Sequence, residues 1–215
     1  MKLLIERRDV KYCRVTITPD EKVRVVAPTN YNVNRFLAKN MGWIEEKIKE
    51  IRQLSKEFDS RREFLILNGE YYRVIFNGNL KVENYTIYTR TLNELETWIR
   101  NKLKKDMMEK VRFFSRLLGV KYGKVYIRKQ KTKWASCSIR GNLSFNIVIS
   151  ALPENLKDYI VIHELTHLKV PRHGRKFWTI VSEYYPDYKK AEKELDRYWI
   201  GIERNNVWKA VRGLK

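Results

Sequence analysis

Apolar and polar residues alternate at the start of the chain with the period of two that a half-buried strand requires. Lys2–Arg7, Tyr12–Thr18 and Lys22–Ala27 each read as a short strand, separated by Arg8-Asp9 and Pro19-Asp20. The period then lengthens. Phe36, Leu37, Trp43, Ile44, Ile48, Ile51 and Leu54 recur every three or four positions and predict an amphipathic helix from Asn32 to about Phe58. Alternation returns at Phe64–Leu67, Tyr71–Phe76, Leu80–Val82 and Thr86–Thr89, with turns at Asn68-Gly69 and Asn77-Gly78.

A second long helix is expected from about Leu92 to Leu118, turning Leu95, Trp98, Ile99, Leu103 and Phe113 inward and stopping at Gly119. Lys124–Arg128 and Leu143–Ile149 read as strands on either side of an irregular stretch, Lys131 to Ser138. Pro153 suits the first turn of a helix, and Pro171 interrupts one. Helical periodicity resumes after Gly174 and again from Asp187 to about Ile200. The order of elements predicts an α+β fold. A weakly marked boundary at Thr89–Thr91 separates a β-rich N-terminal region with one long helix, residues 1–90, from a second region, residues 91–215.

The chain of 215 residues, 43% hydrophobic and 33% charged, has the balance of a soluble globular protein and enough length to bury a core. No apolar run approaches the ~18 residues needed to span a bilayer, so no membrane association is expected. The early charge at Lys2, with Glu6, Arg7 and Arg8, does not suit a signal peptide, and two cysteines are too few for a disulfide framework. A reducing cytoplasm is the expected compartment. The formal charge of +20 is less ordinary, and residues 100–140 hold 14 basic against 2 acidic residues. That excess reads either as a solvated surface or as a face for nucleic acid or nucleotides.

All three histidines of the chain fall in one segment, His163-Glu164-Leu165-Thr166-His167-Leu168-Lys169-Val170-Pro171-Arg172-His173. Residues four apart share one face of a helix, so His163 and His167 can direct ring nitrogens at one ion. Neutral imidazole suits zinc, and three protein ligands leave the fourth position for water. Glu164 lies about 100° around the helix from His163, off the metal but within reach of that water as a general base. Ile160, Val161, Ile162, Leu165 and Leu168 mark a mostly buried helix, where unpaired polar groups would be costly. The alternatives are a hydrogen-bonded polar cluster, or a closed structural zinc with Cys137 as fourth ligand. The spacing to His173 matches the metzincin pattern, but Val170 replaces its glycine and no methionine follows Met108, so the chain is no metzincin. Should His173 not ligate, Glu183 is the first substitute. Arg172, Arg175 and Tyr184 are the candidate substrate contacts. Phe177 and Trp178 read as core. No GxxxxGK[ST] or GxGxxG loop occurs.

His163-Glu164-Leu165-Thr166-His167 with His173 and Phe177-Trp178 resembles the YgjP-like family of zinc metallopeptidases, relatives of the SprT and WLM groups. Trp134-Ala135-Ser136-Cys137-Ser138 is similar to that family's Trp-Gly-Ser-Cys element, with alanine in place of glycine, and Asp158-Tyr159 and Trp43-Ile44 also fit. The resemblance implies a zincin-like metal-binding catalytic core in residues 91–215, with zinc on His163, His167 and His173 and Glu164 as base. It implies a peptide or protein substrate aligned on an edge strand, for which Leu143–Ile149 is the expected element. Two further readings stay open: a nucleotide phosphoanhydride hydrolase on the same site, and a nucleic-acid-binding module with a structural zinc. SprT-like kinship adds a third possibility, hydrolysis of protein held on nucleic acid through the basic surface.

Overall fold

The structure, a computed structural model, describes residues 2–214. The N-terminal alternation folds as predicted into β1 (Lys2–Arg7), β2 (Arg14–Ile17) and β3 (Lys22–Ala27). Their order is β1-β3-β2, with β1 parallel and β2 antiparallel to the central strand. One face of β3 is fully buried through Val23, Val25 and Ala27, under Val33, Leu37, Ile44 and Ile48 of α1 (Val33–Asp59). The Asn32 side chain caps that helix by accepting from the Arg35 N–H. Trp43, expected inward, is 49% exposed, because it lies about 100° around the helix from the buried Ile44.

A four-stranded sheet follows, β4 (Leu65–Leu67), β5 (Glu70–Ile75), β6 (Lys81–Glu83) and β7 (Thr86–Tyr88), in the order β4-β5-β7-β6. Asn68 and Gly69 both have positive φ, 52° and 83°, as a two-residue hairpin turn demands. α2 (Leu92–Leu118) starts at Thr91, whose side chain accepts from the Glu94 N–H while the Glu94 carboxylate accepts from the Arg90 N–H. Its buried stripe is Leu95, Ile99, Leu103, Met107 and Val111, a strict four-residue spacing that leaves Phe113 outside at 62% exposure, contrary to the inward placement expected. Gly119 closes the helix at φ 64°.

The third sheet departs most from the sequence reading. β8 (Val125–Arg128), β9 (Ala135–Cys137) and β10 (Leu143–Asn146) lie in the order β8-β10-β9. Part of the stretch expected to be irregular is therefore the strand β9, and Ala135 sits in it without positive φ. The strand expected to reach Ile149 stops at Asn146 and turns into a 3-10 helix, Ile147–Ala151. An all-apolar run carries no period to tell the two apart. The buried Asn146 makes the break, donating 2.8 Å hydrogen bonds to the carbonyls of Gln130 and Lys133.

The rest is helical: α3 (Glu154–Thr166), α4 (Arg175–Tyr184), α5 (Tyr188–Arg204) and α6 (Asn206–Arg212). α5 runs past the expected Ile200, and α6, unforeseen, is capped by the Asn205 side chain accepting from the Trp208 N–H. Three apolar clusters hold the elements. One lies between β3 and α1. A middle one joins Phe58, Leu65, Ile66 and Ile87 to Ile202, Trp208 and Val211, with the Trp208 indole donating to the Ile66 carbonyl at 3.0 Å. The third gathers Leu103, Phe145, Ile160, Leu165, Phe177 and Leu195 around α3. Where α5 crosses α1 the close approach falls at Gly201, and a methyl there would overlap the Phe58 ring. Among the described residues no helix is long and apolar enough to cross a membrane.

Candidate metal centre and active site

α3 is buried on nearly all sides, from Tyr159 through Ile162 and again at Glu164, Leu165 and Thr166. It packs against α2, α4, α5 and β9. One buried cation pins its start: the Lys157 ammonium donates to Asn68, Asp106 and Glu154 at 2.6, 3.0 and 2.7 Å. At the other end His163 stands in the last turn and His167 is the C-terminal cap, still in helical conformation. The chain then reverses through bonds from the Lys169 and Val170 N–H groups to the Thr166 carbonyl, and a tight turn at Arg172–Gly174 presents His173 just ahead of α4.

The three imidazoles converge. The His173 Nε2 lies 3.0 Å from the His163 Nε2 and 3.1 Å from the His167 Nε2. Among the described residues these are the only three or more His, Cys, Asp or Glu side chains whose ligand atoms lie within 4.8 Å of one another. Neither Glu183, which is exposed, nor Cys137 joins them. A tetrahedral ion with bonds of ~2.0–2.1 Å separates its ligand nitrogens by roughly 3.3 Å, close to what is seen. Hydrogen bonding alone satisfies such a cluster poorly, because a neutral imidazole has one donor and one acceptor nitrogen. Phe177, fully buried, forms the floor, its ring centroid 4.6–4.9 Å from all three imidazoles. Phe177 and Trp178 thus belong to the packing, as expected, and Trp178 also stacks on His173.

Burial pushes the His163 imidazole down to about 3, helped by the charges of His167 and His173, and burial likewise lowers His167. Both are therefore neutral, as a metal ligand must be. Behind His163 the Tyr159 hydroxyl faces its Nδ1 at 3.4 Å. Burial, then the nearby Glu192 carboxylate, raises the Tyr159 phenol well above its ordinary range.

Glu164 is 7% exposed, and its Oε2 has no hydrogen-bond partner. Burial pushes its carboxyl up to about 7, against the opposing charge of Lys133 and the backbone N–H of Cys137. That N–H comes from β9, an edge strand. Trp134 accepts from the Asn146 N–H and Ser138 donates to Asn142, so Ser136 completes the bonded side facing β10. The backbone groups of Ala135 and Cys137 consequently face outward. β10, by contrast, is paired on both sides. The expected edge strand, Leu143–Ile149, is thus central, and the edge beside α3 belongs to Ala135–Cys137, with its Cys137 N–H already taken by Glu164. The Cys137 thiol is pushed up to about 11 by burial and by Glu164, so it is not a thiolate at neutral pH.

The proposed substrate contacts do not gather here. Tyr184 donates to the Leu117 carbonyl at 3.4 Å, and Arg172 and Arg175 are exposed beside His173 without lining the cavity next to the histidines. That cavity, about 310 Å³, is bounded instead by Trp134, Tyr159 and, from α5, Glu192 and Asp196. Sequence reasoning missed these two acids, because only the packing of α5 against α3 brings them to the cavity. Of the basic residues in 100–140 only Lys133 lines the cavity, and Arg100, Lys110 and Lys129 are paired with Glu96, Asp158 and Glu96.

Two solved structures are similar in part. The metallopeptidase zymogen abylysin of Pyrococcus abyssi is 29% identical, covering 41% of this chain and 90% of that one, with a TM-score of 0.39. The metallopeptidase zymogen jannalysin of Methanocaldococcus jannaschii is 26% identical, covering 42% and 94%, also with a TM-score of 0.39. No curated protein matches the chain. The YgjP-like metallopeptidase domain matches residues 11–198, a span that includes His163, Glu164, His167 and His173. The chain belongs to the YgjP-like metallopeptidase family.

Proposed function

We propose that the chain is a zinc peptidase in which His163, His167 and His173 hold the metal and Glu164 is the general base. One observation carries this reading: three imidazole Nε2 atoms converge at 3.0–3.1 Å beside a buried carboxylate oxygen that has no partner. Three imidazole nitrogens are a donor set suited to zinc, and bound zinc would supply a Lewis acid that polarises the scissile carbonyl and acidifies water. Glu164 takes the proton from the attacking water and returns it to the leaving nitrogen. The Cys137 N–H orients that carboxylate from β9. An extended substrate would add to the edge of β9, where the outward N–H and C=O of Ala135 pair with no other strand. With zinc on the His163 Nε2, the Nδ1–H would donate to the Tyr159 hydroxyl 3.4 Å away, which would hold the ring in place.

We assign the site to residues 91–215 and a supporting role to residues 1–90. The middle core draws on both, so the whole chain is the unit to test. The zinc-loaded protein should cleave quenched peptides or casein and release no phosphate from nucleoside triphosphates. Glu164→Gln should abolish cleavage with zinc retained by elemental analysis. Phosphate release without peptide cleavage, or full turnover by the variant, overturns the assignment.

A further inference from the structure

The cavity beside the metal centre has a chemistry of its own. It opens at His163 and Glu164, and its walls are the rings of Trp134 and Tyr159 with the aliphatic side chains of Ile160 and Leu195. Two carboxylates enter it from α5, Glu192 and Asp196, four residues and so one helical turn apart.

In a chain with 45 Lys and Arg against 25 Asp and Glu, neither of these carboxylates is held by a cation of its own. Among the described residues Glu192 is in no ion pair. The only cation near Asp196 is Lys47 at 3.8 Å, and Glu50 holds that ammonium more closely, at 2.8 Å. Lys133 also borders the cavity, yet it pairs with neither acid. Glu164 also lines this space, so three carboxyl groups border it against the single ammonium of Lys133.

We propose that this cavity is the specificity pocket of the active site, taking a cationic side chain of the substrate, lysine or arginine, with Glu192 and Asp196 as its counter-charges. The inference rests on the peptidase reading and adds the substrate class to it. A volume of about 310 Å³ accommodates one long side chain. The aromatic and aliphatic walls suit a methylene stem, and the rings themselves attract a cation. A metal ion is the poorer occupant, because these carboxylates converge with no third ligand. An acidic side chain meets three carboxylates, and an apolar one leaves them without a partner.

The test is a mixed peptide library cleaved by the zinc-loaded full chain and read by mass spectrometry. Lysine and arginine should be enriched at one fixed position next to the scissile bond, and aspartate and glutamate depleted there. Against matched peptides, the ratio of kcat/KM for lysine over norleucine should be roughly ten- to hundredfold, the worth of a charged hydrogen bond. In Glu192→Gln/Asp196→Asn it should fall to near one, and the single charge reversal Asp196→Lys should turn the preference toward acidic side chains. Cleavage without a cationic preference, or a preference indifferent to these variants, overturns the pocket and leaves the peptidase reading standing. If no peptide is cleaved, that reading fails, and calorimetric binding of the same two peptides decides the pocket. Tighter binding of the lysine peptide, lost in the double variant, supports it; equal affinities refute it.

Discussion

Replacing Glu164 by glutamine should make the metal-free protein more stable, and only above a definable pH. The carboxyl is 7% exposed, and burial raises it from the ordinary 4.5 to about 7. Between those values the unfolded chain has released the proton that the folded chain still holds, so the unfolded state binds fewer protons and stability falls as pH rises. The loss is absent below about 4.5 and complete above about 7. At about 1.4 kcal/mol per pH unit, the full cost is about 3 kcal/mol, an order-of-magnitude value for a group this buried. Glutamine cannot ionise and escapes it. His163 and His167, lowered by burial, push the other way across the acid range, but both proteins contain them and their effect cancels in the difference. Urea denaturation of chelator-treated protein at pH 4.5 and pH 8 measures that difference. The variant should match its parent at the lower pH and exceed it by ~2–4 kcal/mol at the higher. Equal stabilities at pH 8, or a gap of the same size at both, would refute the idea that Glu164 is held as a desolvated carboxyl.

Three other outcomes follow from the geometry. Tyr159→Phe removes the group facing the His163 Nδ1 and should weaken zinc binding by roughly ten- to hundredfold, measured by competition with a chelator. His173→Ala removes a ligand and should cost more than Tyr159→Phe in the same assay; an unchanged affinity would hand the third place to another group such as Glu183. Gly201→Ala forces a methyl into the Phe58 ring where α5 crosses α1, and should lower stability by ~1–3 kcal/mol in denaturant titration; an unaffected midpoint would mean that the helices part freely.

Periodicity located the helices because α1 and α2 each present one face to a core, and both lie within a residue or two of their expected bounds. It failed where no face is free. Leu143 to Ala151 is buried almost throughout, so strand and 3-10 helix look alike in sequence, and only the hydrogen bonds of Asn146 mark the break. Sheet order was equally hidden, since alternation does not tell which of three strands lies between the other two. The histidines were legible because chemistry at short spacing needs no tertiary knowledge. Tyr159 is one turn from His163 and lies within reach of the same logic. Glu192 and Asp196 are not, because only the packing of α5 against α3 brings them to the cleft.

The middle core imposes an order on how the molecule comes together. Ile66 and Trp208 meet across 142 positions of chain, whereas the cluster around the metal helix draws on residues 103–195. During synthesis β4 must therefore wait, its apolar surface uncovered, until α6 has emerged, while α3 and α4 already have the partners they need. Contacts so distant in sequence pay their loop-closure entropy before they return any stability, which slows the step that forms them. The metal centre should accordingly assemble early, and the packing of α6 onto β4 should be the last and slowest event, the interval in which the nascent chain most needs protection from aggregation.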